Sequence, residues 1–172
     1  WNRVVKAGIK FAIIRAAFRG YGTGRIVADE WFERNIKGAT AAGIKVGVYF
    51  FSQAVNEKEG AEEADYIINQ IKNYKVTLPI AIDTEYVSDS RARGNSISRG
   101  TRTAAVKAFC ERSLQRGYTP MIYASTSWLN NQLDMSKLSS YKVWVAQYYN
   151  RVTYIGKYQC WQYTSSGHVD GI

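Results

Sequence analysis

Histidine is nearly missing from this chain of 172 residues. His168 is the only one, and it stands in a glycine-rich tail, where it reads as an exposed loop residue. That argues against a Ser-His-Asp or Cys-His nucleophilic site. The two cysteines, Cys110 and Cys160, form no Cys/His cluster with zinc spacing. Neither a metal nor another cofactor is therefore expected. No apolar run approaches the roughly 20 residues of a membrane span. No linker or low-complexity stretch divides the sequence, so residues 1–172 read as one domain. Acids are outnumbered, with 14 Asp and Glu against 23 Lys and Arg, for a net charge of +9. A basic balance implies an anionic partner but does not choose among nucleic acid, membrane surface and wall polymer. Arg91, Arg93, Arg99 and Arg102 cluster, yet no helix-turn-helix, ribonucleoprotein or zinc-finger pattern accompanies them, so no nucleic-acid partner is expected.

What is present is apolar and aromatic. Hydrophobic residues make up 46% and aromatic residues 14%, including 13 Tyr and 5 Trp, which is a globular composition. One grammar recurs: a helix end, a glycine, a short loop and a buried strand. It occurs at Ala7-Gly8-Ile9-Lys10 before Phe11–Arg15, at Ala42-Gly43-Ile44-Lys45 before Val46–Phe51, and at Arg116-Gly117-Tyr118-Thr119-Pro120 before Met121–Tyr123. Repeated helix-Gly-strand units predict parallel strands joined by crossover helices. Asp29 is placed to cap a helix carrying Phe32, Ile36 and Ala39. A second helix is predicted over Glu57–Asn73 and a third over Thr101–Arg116, the latter turning Val106, Phe109, Cys110 and Leu114 inward. Val143–Tyr148 and Tyr158–Tyr163 read as strands. Gly20–Gly24 lacks the Lys-Ser/Thr of a phosphate loop and reads as a flexible strand-to-helix connection at a cleft rim.

The stretch Leu78–Tyr86 carries the chemistry. It opens on Pro79, runs through Ile80, Ala81 and Ile82, and ends on Asp83-Thr84-Glu85. Strand alternation puts Asp83 and Glu85 on one face. Two acids at the end of a hydrophobic strand suggest a general acid with a second carboxylate beside it. The long polar loop Val87–Gly100 follows directly, where α/β enzymes place binding groups. Aromatic residues gather at the other strand ends: Tyr49 and Phe51, Tyr123, Trp144 and Tyr148, Trp161 and Tyr163. With Gln147, Gln162 and Asn130 they suggest a cleft wall suited to the flat apolar faces and polar edges of sugar rings.

These pieces, in this order, resemble the family 25 glycoside hydrolases, the Chalaropsis-type lysozymes or N-acetylmuramidases. The matching blocks are Ala7–Ala16, Gly43–Tyr49, Asp83-Thr84-Glu85, Gly117–Tyr123, Trp144–Tyr148 and Trp161–Ser165. The resemblance implies an α/β fold, an irregular TIM-like (β/α) barrel. It also implies cleavage of the β-1,4 bond between N-acetylmuramic acid and N-acetylglucosamine in peptidoglycan, outside the cell or at its wall. By motif, Glu85 would be the general acid and Asp83 its assistant, with Tyr49, Phe51, Tyr123, Trp144, Gln147, Tyr148, Trp161 and Gln162 meeting the glycan. Carboxylate spacing on a strand does not separate retention from inversion, and a substrate-assisted route through the 2-acetamido group is favoured. Anionic wall polymers would suit the positive charge, and a monomer is expected. Cys110 and Cys160 would be either two buried free thiols or, in a secreted enzyme, a disulfide joining the third helix to the Trp161 strand. Family members carry a first and a last strand, each with an aspartate, that have no counterpart here. The expectation is a barrel lacking about 10 residues at either end, roughly one strand and loop each. The competing reading is a non-catalytic wall-glycan-binding module on a degenerate barrel.

Overall fold

Three glycines set the rhythm of the chain. Gly8, Gly43 and Gly117 have φ of +86°, +78° and +82°, each one residue past a helix cap. At each, the next amide donates to the carbonyl five residues back: Ile9 to Val4, Ile44 to Ala39, and Tyr118 to Ser113. This closure ends the helix and turns the chain into a strand, and a left-handed residue with no Cβ is what it requires.

The computed structural model describes residues 1–172. Its elements are α1 (Asn2–Lys6), β1 (Phe11–Arg19), β2 (Ile26–Ala28), α2 (Phe32–Ala41), β3 (Lys45–Phe51), α3 (Glu57–Ile71), β4 (Ile80–Asp83), α4 (Arg99–Gln115), β5 (Pro120–Ser125), α5 (Thr126–Asn131), β6 (Lys142–Ala146) and β7 (Cys160–Gln162). A short 3-10 turn, Arg93–Ser96, lies between β4 and α4. The seven strands form one sheet in the order β2-β1-β3-β4-β5-β6-β7. All neighbours are parallel except β2, which runs antiparallel to β1.

The sheet is curled. Tyr49 of β3 and Trp144 of β6 bring their ring centroids within 6.4 Å. Three strand spacings separate these strands, roughly 14 Å along a flat sheet. The rings meet because the sheet bends toward them and their side chains converge on its concave face. The result is a half-barrel. Its convex face carries Val46, Val48, Phe50, Ile80, Ile82 and Ile122, all buried, against the apolar stripes of α2, α3 and α4. No helix is long and apolar enough to cross a membrane.

The helix ends follow their sequences. Asn56 caps α3 by accepting the Glu59 amide at 2.9 Å, and Glu59 reaches back to the Val55 amide at 3.0 Å. Ser98 caps α4 through the Thr101 amide. α3 and α4 touch backbone to backbone at Gly60, where a Cβ would stand 2.1 Å from the Ala105 carbonyl oxygen. Only glycine permits that approach.

Several expectations are corrected. Gly20–Gly24 is not a strand-to-helix connection. Its backbone closes on itself, Gly20 donating to Arg25 O and Gly24 to Gly20 O, and returns the chain as β2. Asp29 does not cap α2. Its carboxylate accepts the Trp31 amide and the Arg15 guanidinium instead. Leu114 is 53% exposed, one turn beyond the buried stripe of Phe109 and Cys110. Of the two readings for the cysteines, the structure has the free thiols, with Cys110 buried and Cys160 partly so. Cys110 lies in the convex-side core, while Cys160 shares the register of Trp144 on the concave side.

Candidate active site

Parallel register decides which side chains meet. Phe51, Asp83, Tyr123, Trp144 and Cys160 are successive partners across β3 to β7, so they form one row on the concave face. Tyr49 stands two residues before Phe51 on the same face and is in register with Arg15 of β1. Tyr123 and Trp144 pack edge to face at 4.6 Å, and the Tyr123 hydroxyl lies 3.5 Å from that of Tyr148. The row is an aromatic wall with one carboxylic acid in its middle.

Asp83 is that acid. It ends the central strand, β4, and is 6% exposed. Its Oδ1 has no hydrogen-bond partner. Burial pushes its pKa well above the usual carboxylate range, the Glu85 charge pushes it further, and Arg15 pulls it back. Glu85 lies beyond the strand, because β4 stops at Asp83 and the chain leaves the sheet at Thr84. It is half-buried, and that burial raises its pKa as well. Burial raises both carboxyl groups and the Glu85 charge adds to the cost of ionising Asp83, so the pair holds a proton more readily than two free carboxyls do.

The connection after Glu85 is firmly held. Trp128 of α5 donates its indole N–H to Thr84 Oγ1 at 3.3 Å. Arg102 lies over the Trp128 ring, 4.7 Å from its centroid, and donates to Gln132 Oε1 and to the Gly94 carbonyl. The Gly94 amide in turn donates to Gln53 Oε1 at 3.0 Å. Asn95 spans the base of the loop with two hydrogen bonds to the Val87 backbone.

The remaining predicted residues fall into two groups. Gln162 joins the concave face in register with Ala146. Trp161, one residue earlier, is in register with Val145 and takes the other side. Its indole donates to the Gln147 carbonyl at 2.9 Å, and its ring meets Tyr163 edge-on. Gln147 spends its side chain on the scaffold. Its Oε1 accepts from Thr126 and from the Thr153 amide, and its Nε2 donates to Thr153 Oγ1. Tyr148 and Asn130 are exposed at the rim.

Sequence reasoning gave Arg15 no part in the site and read Asp29 only as a helix cap. Arg15 Nε donates to Asp29 Oδ2 at 2.6 Å, and Arg15 is the positive group acting on Asp83. A charged residue alternating with Ile13 in an otherwise apolar run was the available signal. No three Asp, Glu, His or Cys side chains converge as a metal ion would require.

Comparison with known proteins agrees with this fold. The sequence model of glycosyl hydrolases family 25 matches residues 1–172. An autolytic lysozyme of Clostridium acetobutylicum is 25% identical over 173 residues, covering 100% of this chain and 48% of that protein. The chain thus spans about half the length of the curated relative it matches. The modular autolysin LytC of Streptococcus pneumoniae, solved with a synthetic peptidoglycan ligand, superposes with a TM-score of 0.85 at 27% identity, over 99% of this chain and 40% of LytC. A family 25 hydrolase of Bacillus anthracis shares the fold with a TM-score of 0.79 at 23% identity, over 99% of this chain and 76% of its own. With a whole-chain family match and the same curled sheet in solved relatives, the chain belongs to glycosyl hydrolases family 25.

Proposed function

We propose that this chain hydrolyses peptidoglycan at the β-1,4 bond between N-acetylmuramic acid and N-acetylglucosamine, with Glu85 as general acid and Asp83 as its partner. One observation carries the reading. Asp83 is a buried acid with an unpartnered oxygen, set among aromatic rings at the carboxyl end of the central strand, beside a second acid. Family membership supplies the reaction class, and LytC with its peptidoglycan ligand supports the substrate.

The two carboxyls divide the work through their shared proton. A substrate acetamido N–H donated to Asp83 Oδ1 favours the carboxylate there, because hydrogen bonds to the charged form lower a pKa. The proton then resides on Glu85, which delivers it to the glycosidic oxygen as the C–O bond breaks. The acetamido oxygen attacks the anomeric carbon from the other side, and water opens the resulting ring with Glu85 as base. This is the substrate-assisted exception to the two-carboxylate scheme. Tyr49, Phe51, Tyr123 and Trp144 supply the wall for the sugar faces, with Tyr148 at the rim; Gln162 adds a polar edge. Gln147 and Trp161 hold that wall in place.

A closed barrel belongs to the same reading. Phe11, Ala12 and Ile13 of β1 and Cys160, Trp161 and Gln162 of β7 line one cavity of about 490 Å³, so the half of β1 that β2 does not pair faces the β7 edge across a slot. Strands seated there would complete the ring. The proposal places the activity at the cell wall and asks for no second subunit, since every named group comes from one chain.

The test is digestion of purified peptidoglycan with mass spectrometry of the new reducing ends. Muramic acid ends are expected. Glucosamine ends or cleaved peptides would overturn the proposal, and retention on walls with no new ends would make the chain a glycan-binding module.

A further inference from the structure

The lysines of this molecule are sorted by face. Of eleven, four sit within 4 Å of a carboxylate: Lys37 with Glu33, Lys58 with Glu62, Lys107 with Glu111 and Lys137 with Asp134. The other seven have no such partner and are all exposed. Every one lies where the chain enters a parallel strand. Lys6 and Lys10 precede β1, Lys45 opens β3, Lys72 and Lys75 precede β4, Lys142 opens β6, and Lys157 precedes β7. Before β5 the corresponding cation is Arg116, which Asp65 engages. The amino ends of the strands therefore carry a basic face, opposite the mouth that holds Asp83 and Glu85. Helix carboxyl ends on that face contribute only about half a negative charge each, far short of the ammonium groups.

Two grooves cross this face, and they are built alike. One, of about 360 Å³, is lined by Lys45 and Lys75 with Thr40 and Thr77. The other, of about 440 Å³, is lined by Lys142 and Lys157 with Ser139 and Ser140. Neither has a carboxylate in its lining. Thr40 and Ser139 give their hydroxyl protons to the backbone carbonyls of Ile36 and Ser136. That leaves a pair of ammonium groups and one further hydroxyl, Thr77 or Ser140, in each concave, acid-free groove, a set that matches the oxygens of a phosphodiester.

We infer that the amino-end face is a second binding surface, for a phosphodiester polymer of the cell wall, seated in the Lys45–Lys75 and Lys142–Lys157 grooves. The inference rests on the wall-hydrolase reading above. A polymer held on this face leaves the opposite mouth open to a glycan strand, so both can be engaged at once. The surface would concentrate the enzyme on walls that carry the polymer without entering the reaction.

The experiment uses the full chain and two purified walls, one intact and one stripped of phosphodiester polymer by hydrofluoric acid. Wild-type protein should be retained on the intact wall at least tenfold more tightly at 0.1 M salt. Replacing Lys45, Lys75, Lys142 and Lys157 by Gln should abolish that preference. It should also flatten the slope of log affinity against log salt by about three, at ~0.7 per phosphate contact on a single chain. A control variant, with Gln at Lys37, Lys58, Lys107 and Lys137, loses the same charge and should bind as wild type. Equal retention on both walls, equal loss in the control, or equally tight binding of single-stranded DNA or anionic lipid vesicles would overturn the inference. Release of reducing ends from stripped wall, unchanged in the four-lysine variant, tests the hydrolase reading separately.

Discussion

Glu63 and Asp83 are both buried acids, and the protein treats them in opposite ways. Glu63, on α3 and fully buried, accepts Arg19 Nε at 2.7 Å. Arg19 also donates to the carbonyls of Gly24 and Glu59, and Arg93 closes onto Glu59 at 2.9 Å. That cluster ties the β1–β2 hairpin, α3 and the loop after β4 into one body. Asp83 has no such partner. The positive group that influences it, Arg15, gives its hydrogen bond to Asp29. Each acid leaves one oxygen without a hydrogen-bond partner, Glu63 Oε2 and Asp83 Oδ1, so the guanidinium is what separates them. A buried carboxyl with one on it is a fastener, whereas a buried carboxyl without one awaits something from outside.

The comparison breaks if the two acids respond alike to mutation. The largest effect is expected for Glu63→Ala, which takes from the buried Arg19 its shortest carboxylate partner while Glu59 and Glu62 stay within 4 Å, and should lower stability by about 3 kcal/mol in denaturant titration. Turnover per folded molecule should not change; a selective loss of turnover would move Glu63 into the chemistry. Glu85→Gln should do the reverse. It removes the proposed proton donor and should reduce turnover by on the order of a hundredfold, with the thermal midpoint close to wild type. Asp83→Asn should cut turnover by about tenfold or more while leaving stability equal or higher, because an unpaired buried acid is itself unfavourable. An Asp83→Asn protein that melts early yet turns over normally would make Asp83 a fastener too.

A smaller signature lies in pH. Burial lifts Glu63 from 4.5 to about 7. The folded state then binds its proton more tightly than the unfolded state does. The contribution to stability is complete below about pH 4.5 and is lost as pH rises toward 7. Glu63→Gln should flatten stability over that window, read from denaturation midpoints in a pH series. The smallest effect is expected at Asp89, which Arg91 holds down to about 2 on the surface of the site loop. Asp89→Asn should change neither turnover nor melting measurably, since exposed pairs contribute little.

The sequence was most legible where local chemistry decides. The C′ glycines at 8, 43 and 117 announced three helix-to-strand turns, and the apolar runs at Lys45–Phe51 and Pro120–Ser125 became buried strands. It was least legible where a distant residue decides. Ile26–Ala28 is a short, partly exposed strand defined only by its partner, so nothing local marked it as a strand. Arg19 and Glu63 are 44 positions apart, and nothing local marks either as buried. Trp161 and Gln162 read as joint wall residues, but strand alternation divides them between the two faces. Within the site, the acids and the row Tyr49, Phe51, Tyr123 and Trp144 followed from strand ends. Arg15 did not, because its role depends on Asp29 arriving from β2's far side.

The glycine contact between α3 and α4 has a consequence for how activity is lost on heating. Backbone against backbone leaves no side chain to yield, so the two helices are either seated or apart. The loop bearing Glu85's neighbours hangs between them, fixed to α3 through Arg93 and Glu59 and to α4 through Arg102 and Gly94. Unseating the helix pair thus releases the loop after β4 in the same event, as a sub-global opening that the sheet can survive. Hydrogen exchange should find the amides of α3, α4 and residues 93–96 opening together at one free energy, below that of β3, β4 and β5. Activity on warming should follow the first of these and not the second.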